Sequence, residues 1–140
     1  MCLTNRIGKD DMSEPTIAAR MARKYAVMTA DATMLERFRS ITPAGWACVA
    51  ATDLEQLGEW HEVLLYRFLL LDLDEIDAFD PLEAIRVLRQ QHQINIAVFC
   101  FGGDEDIQDE MRLARADRFF ARNEMVERLP EFFRQYDWGE

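Results

Sequence analysis

Short apolar runs alternate with amphipathic stretches along most of this chain. Tyr25-Ala26-Val27-Met28 is the first run, and Thr29-Ala30-Asp31 breaks it. Met34, Leu35 and Phe38 then recur at helical spacing. Pro43 and Gly45 mark a turn before a second run, Trp46-Ala47-Cys48-Val49-Ala50. Thr52-Asp53 opens a predicted helix reaching Val63, with Thr52 and Glu55 spaced as a capping box. The third run, Phe68-Leu69-Leu70-Leu71, stops abruptly at Asp72-Leu73-Asp74-Glu75. Its continuous hydrophobicity predicts a strand covered on both faces.

Asp80-Pro81 is a helix start, an N-cap followed by proline at the first helical position. Leu82, Ile85 and Leu88 supply its buried stripe. The fourth run covers Ile94–Phe99 and continues to Phe101, ending at Gly102-Gly103. Asp104-Glu105-Asp106 places acids in the first turn of the next helix, where the macrodipole favours them. Phe119-Phe120-Ala121 is a brief fifth strand. Met125, Val126, Leu129, Phe132, Phe133 and Tyr136 form a last amphipathic helix that Pro130 kinks or shortens. Five strands alternating with five helices predict a doubly wound parallel sheet with helices on both faces. Residues 1–23 lack this rhythm and read as a tail or short helix, leaving 24–140 as the domain.

Composition narrows the function. The 140 residues carry a net charge of −10, which disfavours nucleic acid and anionic membrane as partners. No apolar stretch is long enough to span a bilayer, and the N-terminus has no signal-peptide core. Cys2, Cys48 and Cys100 are scattered, as expected of reduced thiols in a cytoplasmic protein.

The order and spacing of these features resemble the receiver domain of response regulators over residues 24–137. Leu69-Leu70-Leu71-Asp72-Leu73 looks like the third strand ending in the phospho-acceptor aspartate. Pro81-Leu82-Glu83 looks like the start of the third helix, and Ala114-Arg115-Ala116-Asp117-Arg118-Phe119-Phe120 like the entry to the fifth strand. The resemblance implies a flavodoxin-like fold and places Asp72 at the acceptor position. It places Cys100 at the Ser/Thr switch position and Arg122 at the phosphate-binding lysine. Thr29 and Ala30 stand where the family carries its acidic, Mg²⁺-binding pair, and Asn123 replaces the usual proline. The chain thus resembles a degenerate, pseudo-receiver member.

Two readings of the site follow. In the favoured one, Arg122 pairs permanently with Asp72, because an acidic crevice without a metal needs a partner charge. The chain is then a stand-alone signalling module acting by protein contact, not an enzyme, with no cofactor. In the alternative, Asp72 is a working phospho-acceptor of a two-component phosphorelay. Asp31 and Asp74 then form a residual acidic pocket holding Mg²⁺. The resemblance implies another signalling protein as partner: a histidine kinase, an output protein or a receiver. It would dock on the face of helix 4, strand 5 and helix 5, which also allows a homodimer. Cys100 beside Arg122 is a candidate redox thiol, against a plainer reading as a small buried hydrophobe. No nucleophile–base set or phosphate loop supports an enzyme on this fold.

Overall fold

The computed structural model describes residues 21–74, 77 and 79–138. The tail expected over the first residues lies outside the described residues up to position 20, as does part of the acidic loop after Asp74.

Five short strands form one parallel sheet: β1 Arg23–Met28, β2 Trp46–Ala51, β3 Phe68–Asp72, β4 Ala97–Phe101 and β5 Arg118–Phe120. Their order is β2-β1-β3-β4-β5. Strand order therefore reverses between β1 and β3, and a crevice opens there at the carboxyl ends of the strands. Among the described residues, four α-helices connect the strands, α1 Ala32–Ile41, α2 Trp60–Val63, α3 Pro81–Arg86 and α4 Glu105–Leu113, and α5 Arg122–Gln135 follows β5.

Side-chain alternation sorts the sheet residues into two cores. Ala26, Met28, Leu69, Leu71, Val98 and Cys100 face one side, under α2, α3 and α4. Tyr25, Val27, Phe68, Leu70, Phe99 and Phe101 face the other, packed against Phe38 of α1 and Phe132 of α5. Phe99 and Phe132 stack with centroids 4.4 Å apart. The aromatic residues near the C-terminus are therefore mostly core. Phe120, Phe132 and Phe133 are buried, and Trp138 is exposed.

The predicted helix starts hold for α3 and α4. The Asp80 carboxylate accepts from the Leu82 and Glu83 amides, with Pro81 leading the helix. Asp104 accepts from the Ile107 amide. After α3 the coil widens over Val87–Gln91, where the His92 amide reaches back five residues to the Val87 carbonyl. The last helix begins earlier than its apolar stripe suggested, at Arg122, and carries Pro130 in its interior.

The stretch after β2 departs from the sequence reading. The continuous helix expected from Thr52 to Val63 is broken. A 3-10 turn covers Leu54–Leu57, capped by Asp53 and not by Thr52. Gly58 follows at φ 106, a left-handed conformation that no helix interior tolerates. Only one turn, α2, comes after it. β4 also starts later than its apolar run: Ile94 and Ile96 precede the strand, and both are buried.

Candidate functional site

The crevice is assembled from the ends of β1, β3, β4 and β5. Asp72 is the last residue of β3, paired in register with Phe101 of β4. Leu73 then donates its amide to the Phe101 carbonyl at 3.0 Å, and Gly102 donates to Phe120 at 3.0 Å. These bonds fix the Asp74 and Gly102 loops side by side. Asp31 follows β1 and caps α1, its Oδ1 accepting from the Thr33 and Met34 amides. Arg122 is the first residue of α5, two positions beyond β5. Its backbone is set by Glu124, which accepts from the Ala121 amide, and by Asn123, which accepts from Arg37 of α1 at 2.9 Å.

Arg122 binds three carboxylates at once. One terminal nitrogen donates to Asp72 Oδ1 at 2.7 Å and to Asp74 Oδ2 at 2.9 Å. The other donates to Asp72 Oδ2 at 2.9 Å and to Asp31 Oδ2 at 2.7 Å. The bond to Asp72 is thus bidentate, the arrangement a planar guanidinium makes and an ammonium does not. The guanidinium also lies 5.3 Å from the centroid of Phe101, a cation–π contact.

Asp72 is 0% exposed, and four donors meet its two oxygens. Oδ1 accepts from Arg122 and from the Asp74 amide at 2.9 Å. Oδ2 accepts from Arg122 and from the Thr29 hydroxyl at 2.7 Å. A carboxylate offers about four lone-pair sites, so these donors saturate it. Thr29 also accepts from the Asp31 amide at 3.0 Å, which holds the hydroxyl in place.

The electrostatics follow from this geometry. The hydrogen bonds from Asp72, then those from Asp31, raise the Arg122 pKa against the opposing effect of burial. Chiefly the Arg122 guanidinium, and then the Met34 amide, hold the Asp31 carboxyl below the ordinary carboxylate range.

Of the residues picked from the sequence, Asp31, Asp72, Asp74 and Arg122 come together. Cys100 does not join them. Its side chain alternates to the opposite face of the sheet, fully buried among Met28, Leu71 and Met111. Burial pushes its thiol up to about 12, which fits the plainer reading of Cys100 as a small buried hydrophobe. Phe101, one residue later, faces the crevice instead. The resemblance assigns Cys100 by spacing, and in a strand one residue changes the face.

Two contributions were not foreseen. Thr29 stands where a carboxylate was expected, yet it supplies a hydroxyl to Asp72. Gly102 and Gly103, which end the fourth apolar run, seat Asp74: the first by leaving room for it, the second by its amide. A Cβ on Gly102 would collide with the Asp74 carboxylate, and the Gly103 amide donates to Asp74 Oδ1 at 2.8 Å. Both glycines sit at positive φ, 77° and 81°.

These donors do not fit the Mg²⁺ that the fold family implies. A divalent metal needs several free oxygens converging on one point. Here each inward oxygen already accepts from Arg122, and the remaining oxygens of Asp31 and Asp74 accept from backbone amides. Among the described residues no group of three or more His, Cys, Asp or Glu is arranged to hold a metal ion.

Comparison with known proteins agrees with the topology. The fold matches a response regulator receiver protein from Pseudoalteromonas atlantica with a TM-score of 0.57. Identity is 10%, and the match covers 80% of this chain and 97% of that one. It also matches an orphan response regulator of H. pylori, at a TM-score of 0.54 and 11% identity, covering 81% of this chain and 98% of the other. No protein-family profile and no curated protein sequence matches the chain. The class is therefore defined by fold: this is a five-stranded, doubly wound domain of the receiver type. Its crevice at the β1/β3 switch point is filled by an arginine. Among the described residues, no helix is long and apolar enough to cross a membrane.

Proposed function

We propose that this chain is a receiver-like signalling module that works by protein–protein contact, with its crevice held in one state by Arg122 and without phosphorylation. The observation carrying this reading is the saturation of Asp72 by four donors. Attack on a phosphoryl donor needs an exposed oxygen with a free lone pair, and Asp72 offers neither. Arg122 supplies the positive charge that a metal would supply elsewhere, from the protein itself and at every metal concentration. A module of this kind needs no cofactor and performs no catalysis. Its information lies in the surface that the locked crevice stabilises.

Titration of the folded protein with Mg²⁺ and beryllofluoride, a phosphoryl mimic, tests this by NMR. The amides of Thr29, Asp72, Phe101 and Arg122 are expected to stay in place. Shifts spreading from Asp72 into β5 and α5 would establish a working phospho-acceptor and overturn the locked reading.

A further inference from the structure

The break at Gly58 interrupts the single helix expected from Thr52 to Val63, above a sheet face that is itself buried. Instead the 3-10 turn and the single turn of α2 leave a groove of about 980 Å³ between themselves and α3. Its floor is apolar, built from Met28, Val63, Ala84, Leu88 and Ile94. Leu54 and Phe79 are only half-buried along it, and the Trp60 ring stands 52% exposed at one end.

The rim has one sign. Asp53, Glu55, Glu59, Glu62, Asp80 and Glu83 all line the groove and are all exposed, and among the described residues no lysine or arginine lines it. Some of these acids have local duties. Asp53 and Asp80 cap their helices, and Glu62 accepts from the Glu59 amide. For the side chains of Glu55 and Glu83 the fold shows no such duty. A low-dielectric trough edged by like charges concentrates its field and selects a cation-bearing partner.

We propose that the groove between α2 and α3 receives a basic amphipathic helix from a partner protein. Its apolar side would lie on Leu54, Phe79 and the Trp60 ring, and its Lys or Arg residues would face the acidic rim. This is helix-in-groove recognition: an apolar stripe gives affinity, and the flanking charge gives orientation and rate. The inference rests on the reading that the module acts by protein contact. It adds the surface and the chemistry of the partner.

The test uses a short leucine–lysine peptide with leucines at helical spacing, titrated into the isotopically labelled chain. Amide shifts are expected along α2, α3 and the 3-10 turn, with quenching or shift of Trp60. The double variant Glu55→Lys with Glu83→Lys leaves every cap intact and is expected to weaken binding roughly tenfold, about 1.4 kcal/mol. Glu55→Gln with Glu83→Gln should weaken it in smaller measure, and serves if the reversal perturbs the fold. A charge-matched control, Glu110→Lys with Glu127→Lys on α4 and α5, should bind as wild type. Shifts mapping elsewhere, or equal weakening by the control pair, would overturn the groove. Loss of the locked crevice would register separately, at Asp72 in the beryllofluoride titration.

Discussion

Arginines anchor both ends of the sheet, and they are held in opposite ways. At the carboxyl end Arg122 faces three carboxylates. At the amino end Arg67 and Arg89, each about 5% exposed or less, are held mainly by carbonyls. Arg67 donates to the backbone oxygens of Met21, Ala22, Tyr136 and Trp138, which ties the start of β1 to the end of α5. Arg89 donates to the carbonyls of Ile94, Ile96 and Arg115 and to the Asp117 carboxylate. Neutral acceptors satisfy hydrogen bonds without fully compensating a buried charge. Burial accordingly pulls the Arg67 and Arg89 pKa values down, whereas the carboxylates push that of Arg122 up. The amino-end arginines close loops. The carboxyl-end arginine offsets part of the negative charge of a site.

Arg89 gives the sharpest way to break this contrast. Arg89→Met keeps the length and apolar stem but removes every donor. The Ile94 and Ile96 carbonyls lose buried partners, and Asp117 keeps only the Val98 amide at 2.7 Å. Stranding two buried carbonyl acceptors, together with losing an ion pair whose carboxylate is half-exposed, is expected to cost about 2–4 kcal/mol. Urea unfolding of the variant would show it as a lower midpoint at unchanged slope. A loss below about 1 kcal/mol would mean that water replaces the guanidinium and that the clamp is dispensable.

Arg122→Met should cost less at neutral pH, about 1–3 kcal/mol, because the guanidinium is 26% exposed and water reaches the gap. Its signature is the pH dependence. In the wild type Asp31 has a lowered pKa, so it binds fewer protons folded than unfolded near pH 4. Its contribution is complete above about pH 5 and disappears as pH falls through the lowered value. In the variant three carboxylates face one another without a cation, so protonation relieves repulsion. The stability gap between the two proteins should therefore narrow between about pH 7 and pH 4. Parallel curves over that range would show that Arg122 acts by packing and not by charge.

The sequence disclosed these two ends unequally. Alternating apolar runs predicted the sheet, because continuous runs such as Phe68–Leu71 have few other uses in a chain this size. Asp72 and Arg122 were legible because each lies at or just beyond the carboxyl end of a strand, where the fold gathers functional residues. Arg67 and Arg89 left no trace in the pattern. Their partners are carbonyls, which every residue has, so nothing in local sequence marks them. Cys100 lies apart from the crevice because spacing counts residues while a strand sorts them by face. Gly58 is a helix-disfavouring residue visible in the sequence, but a lone glycine costs only about 1 kcal/mol in a helix. Its conversion into a chain break required the positive φ that the fold imposes.

The smallest effect expected at the amino end belongs to Trp138. Its ring lies 3.4 Å from the Arg67 guanidinium carbon, yet Trp138 is 55% exposed. Two parts of the residue hold Arg67: the ring from the side, and the backbone oxygen as an acceptor at 2.7 Å. Trp138→Ala removes only the first. A partly exposed cation–π contact contributes about 0.5–1 kcal/mol, so the variant should lose about that much and keep its fold. Trp138→Phe should recover part of the loss, since a smaller π face still attracts the cation. Equal stability of the Phe and Ala variants would assign the whole contribution of this terminus to its carbonyl. The Arg67 clamp would then be a backbone device throughout, set against a carboxyl end that works by charge.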